Sequence, residues 1–95
     1  MEYFGAAVYH AERHELDYAV FYAGLSGHPN TAALIDICRR EQAACEDLKI
    51  KACEYGIKKW YNHAAKKFAA ALELNAQDET ARRGLIYTAG KGFIL

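Results

Sequence analysis

Residues 66–77 read KKFAAALELNAQ, and the fold turns on whether this run is one helix of a bundle or one tooth of a repeating array. Its apolar residues recur at helical spacing, and it stops at Asn75, a residue that favours turns. Ala64, just before the run, and Phe68 within it lie one helical turn apart, with Ala71 on the same face. Composition points the same way. Of 95 residues, 53% are hydrophobic, eighteen are alanine and one is proline. Alanine is the strongest helix former and lets helices approach closely. The expectation is an all-α fold in one domain, since so short a chain cannot divide its apolar surface between two cores.

Three breaks punctuate the chain. Leu25-Ser-Gly-His-Pro-Asn30 combines glycine, proline and the capping residue Asn30, so one helix ends there and another starts. Gly56-Ile-Lys-Lys59 is a softer break, and Asn75-Ala-Gln-Asp78 places capping residues ahead of Glu79. Between the first two breaks the spacing predicts an uninterrupted helix from Thr31 to Tyr55. Its apolar positions are Leu34, Ile37, Cys38, Ala44, Cys45, Leu48, Ala52 and Tyr55. At 1.5 Å per residue such a helix is about 40 Å long, which is long for so small a domain. Cys38, Cys45 and Cys53 are expected on one stripe of it, as small buried hydrophobes in a reduced cytoplasm.

Sliding the chain against itself by 47 residues sets Gly5 on Ala52, Val8 on Tyr55, Phe21 on Phe68, Gly24 on Ala71, Leu25 on Leu72 and Pro29 on Ala76. These positions resemble a tetratricopeptide repeat, a helix-turn-helix unit of small, aromatic and proline positions. The second copy carries Ala52-x2-Tyr55, Ala64-x3-Phe68 and Ala71; the first offers Phe4-Gly5-x2-Val8, Phe21, Gly24 and Pro29. Asp17 and Lys51 depart from the pattern, and Ala76 stands in place of proline. The period exceeds the family's 34 by about thirteen residues, which are assigned to an elongated helix. The resemblance implies a first copy over about 1–31, an insert over 32–44, a second copy over 45–78 and a closing helix over 79–95. An unrelated four- or five-helix bundle remains the alternative.

In the resembled family the first helix of each unit lines a concave groove that holds a peptide or a partner helix. Carried onto this chain, the resemblance implies a groove of Glu2, Ala6, Tyr9, His10, Lys49, Cys53, Arg83, Tyr87 and Lys91. The function expected is therefore an adaptor or scaffold binding an acidic peptide or another protein. A second expectation is a two-fold homodimer through Leu34, Ile35, Ile37 and Cys38, with Phe93, Ile94 and Leu95 nearby. The competing reading packs that cluster on the Asp17–Leu25 helix of its own chain.

Other chemistries find little support. His10-Ala-Glu-Arg-His14 sets two imidazoles one turn apart, a spacing that can grip zinc, but no third ligand is evident. A metal-binding bundle or enzyme using His10 and His14 is the rival reading. No nucleophile constellation or phosphate loop is evident, so no enzyme activity and no cofactor are expected. Twelve basic residues balance twelve acidic ones, which argues against nucleic acid and anionic lipid as partners. Met1–Tyr9 has no basic leader, and the stretch Tyr18–Ile35 is broken by turn residues, so neither a secretory signal nor a membrane span is expected.

Overall fold

The computed structural model describes residues 3–92, and among them it contains five helices and no strand. They are α1 (Tyr3–Glu12), α2 (Leu16–Ser26), α3 (Thr31–Ile57), α4 (Tyr61–Leu74) and α5 (Glu79–Gly92). The all-α expectation holds, and the long helix runs two residues past its expected end. Glu2 and the tail residues Phe93, Ile94 and Leu95 lie outside the described residues.

Each break has a physical cause. Gly27 ends α2 in the left-handed region, at φ 62°, which glycine adopts without a Cβ penalty. Asn30 makes no side-chain cap on α3; the hydroxyls of Ser26 and Thr31 hydrogen-bond across the turn at 2.6 Å instead. Asp78 does act as a cap, accepting the Ala81 N–H at 2.9 Å.

The helices pack in chain order: α1 on α2, α2 on α3, α3 on α4 and α4 on α5, with α1 touching α3 only lightly. Helix α2 lies along the first half of α3, where Leu16, Ala19 and Cys38 form one core with Ala11, Val20 and Leu34 against it. Helix α4 lies along the second half, where Cys45, Ala52, Phe68, Ala71 and Ala81 form another, packed by Leu48, Leu72, Leu74 and Leu85. The two hairpins therefore sit end to end along one long helix, in a rod of 52 × 18 × 14 Å. They are not stacked side by side.

The same turn is built twice, 45 residues apart. His14 and Lys59 hold φ of 59° and 63°. The Glu15 N–H donates to His10 O at 2.9 Å, and the Trp60 N–H to Tyr55 O at 2.9 Å. Ala19 and Ala64 each bond back to the residue four earlier at 3.0 Å. In this register Ala7 matches Ala52 and Ala19 matches Ala64, all four fully buried. The expected register of 47 is thus corrected for the first hairpin. Phe21 is 61% exposed, Gly5, Asp17 and Gly24 are exposed as well, and buried Ala23 occupies the place that Phe68 fills in the second hairpin.

Candidate functional site

Helices α3 and α5 both run antiparallel to α4, so they are parallel to one another. Contacts at each end establish this: Lys49 reaches Asp78 at 2.8 Å, while Ile57 and Tyr87 meet at the other end of one cavity. Between the two parallel helices lies an open trough with α4 beneath it. One part of it, about 330 Å³, is lined by Ala52, Cys53, Gly56, Ile57, Tyr61, Phe68, Gly84, Tyr87 and Thr88. A second part, about 360 Å³, continues along α3 past Cys53 and Ile50 to Lys49, Glu46 and Thr80. Cys53 and Ile57 belong to both parts, so the trough is continuous along α3.

The floor is tight. A Cβ at Gly84 would lie 2.5 Å from Phe68 Cε1 and Cζ, so the α5 backbone rests directly on the Phe68 ring. The walls are greasy and exposed: Ile50, Tyr87 and above all Ile57, which is 83% accessible. Large apolar side chains left out beside a concave floor are what a binding surface presents.

At the Thr80 end the trough is pinned by a half-buried polar cluster. The Lys49 ammonium bonds Asp78 at 2.8 Å and Glu46 at 2.9 Å, and its side chain is only 14% exposed. Burial works to lower the pKa of Lys49, but the two carboxylates overcome it and hold the group above its ordinary value. Burial likewise works to raise Asp78, yet Lys49 and the Ala81 N–H keep it below the usual carboxylate range. The Cys45 thiol donates toward Ala71 O and Asp78; burial first, then the Asp78 charge, pushes it up to about 11. This thiol is neutral and inert.

The expected groove residues divide between two places. Lys49, Cys53 and Tyr87 line the trough. Arg83 lies on α5 one turn before Tyr87 and is 80% exposed, with Glu79 at 3.5 Å. Lys91 stands over the Tyr87 ring at 5.6 Å. Tyr9 and His10 belong to the other hairpin, because the extra length of α3 carries α1 away along the rod. There the His10 ring stacks on Tyr22 at 5.4 Å, and its Nδ1 bonds Glu15 at 3.0 Å. That bond, with Arg13 close by, holds the Glu15 carboxyl below its ordinary pKa. His14 points to Glu41 instead, at 3.8 Å, so the two imidazoles have separate partners. Among the described residues no group of three His, Cys, Asp or Glu side chains could hold a metal ion.

No known protein family, curated protein or solved structure matches the chain.

The dimer patch divides within the chain, and the expectation for the cysteines is corrected. Of the expected dimer patch, Cys38 is buried and Leu34 packs with it against α2, as the competing intrachain reading had it. Ile37 is exposed, and Ile35 is half-buried. Of the three cysteines, Cys38 and Cys45 are buried but Cys53 is exposed. Eight residues advance a helix by about 80° beyond two full turns, which swings Cys53 out of the stripe and into the trough. Gly84 was missed altogether. Its signal was a glycine inside a helical pattern, which marks a close backbone approach.

Proposed function

We propose that the chain is a protein-interaction module, an adaptor or scaffold built on tetratricopeptide-like hairpins, and that it acts by binding rather than by catalysis. The observation that carries this reading is the trough between α3 and α5, with Ile50, Ile57 and Tyr87 exposed beside the Phe68–Gly84 floor. Balanced charge favours a protein partner over nucleic acid. No helix among the described residues is long and apolar enough to cross a membrane, and three free thiols favour a reducing compartment such as the cytoplasm.

The test compares two exposed isoleucines. Ile57 opens on the trough; Ile86 is exposed on α5 and lines neither part of the trough. Affinity capture from the source cells, read by quantitative mass spectrometry, should lose its specific partner with Ile57→Asp and keep it with Ile86→Asp. Both variants should retain parent helicity by circular dichroism, since neither side chain is in a core. An unchanged partner set with folded Ile57→Asp would refute the reading.

A further inference from the structure

We propose that the turn Ile57-Lys58-Lys59-Trp60, at the end of the rod, is an anchor that seats the protein end-on against an anionic lipid surface. This goes beyond the interaction reading and does not depend on what fills the trough. The same backbone turn is built twice, and only one copy is used inside the chain. In the first hairpin it reads Glu12-Arg13-His14-Glu15. There Arg13 pairs with Glu15 at 3.3 Å, His14 faces Glu41 at 3.8 Å, and the His14 carbonyl accepts the Ala76 N–H at 2.8 Å. In the second hairpin all four residues of the turn are exposed, with Trp60 51% accessible. The first copy shows that the turn forms without an isoleucine and a tryptophan held out in water, so the fold itself does not require them.

Charge is segregated at the same end. Twelve basic residues balance twelve acidic ones overall, yet residues 55–72 contain four lysines and no acid. Lys58 and Lys59 stand in the turn itself. Lys66 and Lys67 follow within two turns of α4, about 10 Å along the helix from Trp60. None of the four has an acidic partner among the described residues. The overall balance that argues against anionic lipid is blind to where charges sit, and a local field follows their placement.

The chemistry of the turn selects lipid over an acidic protein or a nucleic acid. The rod is only 18 × 14 Å across, so its end falls short of the roughly 800 Å² per partner of a stable protein interface. A membrane surface sets no such requirement. Its layers also match the turn residue by residue: the hydrocarbon boundary suits Ile57, the headgroup level suits the indole of Trp60, and anionic headgroups suit the lysines. Further rings lie beside it. Tyr55 stacks on Trp60 at 5.8 Å, and Tyr61 meets Tyr87 at 6.4 Å, which supplies the amphipathic aromatics that favour an interface between water and lipid. The Trp60 ring is already engaged by Tyr55 and by the Lys58 ammonium at 5.0 Å, leaving less face on which a nucleobase could stack.

Trp60 is the single tryptophan of the chain, so tryptophan fluorescence reports on this turn alone. The intact protein is titrated with phosphatidylcholine vesicles, and with vesicles in which about a third of the lipid is the anionic phosphatidylserine. Emission should shift to the blue with the anionic vesicles and stay unchanged with the neutral ones. Added salt should weaken the effect. Lys58→Gln with Lys59→Gln should cut partitioning about 25-fold, about five-fold for each lysine at the surface. Arg39→Gln with Arg40→Gln removes the same two charges from the first half of α3, about 27 Å up the helix and several Debye lengths away. That pair should leave partitioning nearly unchanged. An unmoved Trp60 emission with anionic vesicles overturns the proposal, and so does equal partitioning onto neutral and anionic vesicles. Equal loss from the two double variants also overturns it, since net charge alone would then act. If Lys58 and Lys59 hold an acidic protein or a nucleic acid while vesicles leave Trp60 unmoved, the surface is a docking site and the lipid assignment is overturned.

Discussion

Gly84→Ala places a methyl group where the Phe68 ring already lies. The added Cβ would meet three ring carbons at 2.5, 2.5 and 2.7 Å, whereas carbon atoms settle at roughly 3.5–4.0 Å. Ring or helix must therefore move by about 1 Å. Phe68 is 6% exposed and confined by Cys45, Ala52, Ala71 and Ala81, so overpacking of this kind costs about 1–3 kcal/mol. Against it stands the gain in helix propensity from glycine to alanine, about 1 kcal/mol. The net expectation is destabilisation by up to about 2 kcal/mol, the opposite of what a helix-interior Gly→Ala change does on an open surface. The ring itself can be removed to isolate the cause. Phe68→Ala alone should cost about 3–5 kcal/mol; in that background Gly84→Ala should become stabilising by up to about 1 kcal/mol. The pair is thus coupled by about 1–3 kcal/mol. Urea unfolding followed by far-ultraviolet circular dichroism on all four proteins measures the cycle, with a stabilising osmolyte present throughout to preserve the folded baseline. A Gly84→Ala effect of the same sign and size in both backgrounds would refute the direct seating of Phe68 on the α5 backbone.

Two more predictions concern the turn and the polar cluster. Lys59 holds φ 63° at a cost of about 1–2 kcal/mol for a side chain in that region, so Lys59→Gly should stabilise the protein by about 0.5–1 kcal/mol after glycine's entropic penalty; an unchanged or lower urea midpoint would count against the turn. The depressed Asp78 pKa supplies stability that is full above the ordinary carboxylate value of about 4 and lost as pH falls through the folded value. The raised Lys49 pKa supplies stability that is full below about 10.4 and lost as pH rises through its own folded value. Asp78→Asn should therefore lower stability by about 1–3 kcal/mol at pH 7 and flatten the acid limb of urea midpoints measured down to pH 3. An acid limb as steep as the parent's would show that Asp78 and Lys49 are not coupled in the folded state.

The helix boundaries were legible because glycine, proline and the Asp78 cap punctuate the chain, and the Phe68 plug was legible because Ala64 and Ala71 frame it at helical spacing. The first hairpin misled for a reason that α2 makes plain. Asp17 is the one charged residue in its eleven, so periodicity could not say which face turns inward, and Phe21 looked as apt a plug as Ala23. The trough was half visible: Cys53, Tyr87, Arg83 and Lys91 came from the repeat pattern, while the assignment of Tyr9 and His10 to the same face ignored what an elongated α3 does to distance. Lys49 looked like a free cation because its partner Asp78 stands in a turn 29 residues away, and no local pattern announces such a pairing.

The meeting of the two hairpins over the middle of α3 has a consequence for how the molecule transmits disturbance. Beyond α3 itself, two backbone donors join the halves: the Ala76 N–H to His14 O at 2.8 Å and the Tyr18 N–H to Gln77 at 3.1 Å. Among the described residues no apolar core spans that joint. Each half owns its own hydrophobic cluster, and the first has fewer members than the second. The chain is in this sense quasi-one-dimensional, with each element stabilised by its neighbours in sequence. The N-terminal hairpin can open as a unit while the trough at the far end keeps its shape. Occupancy of the trough, in turn, reaches that hairpin only through the helical shaft of α3 and these few hydrogen bonds.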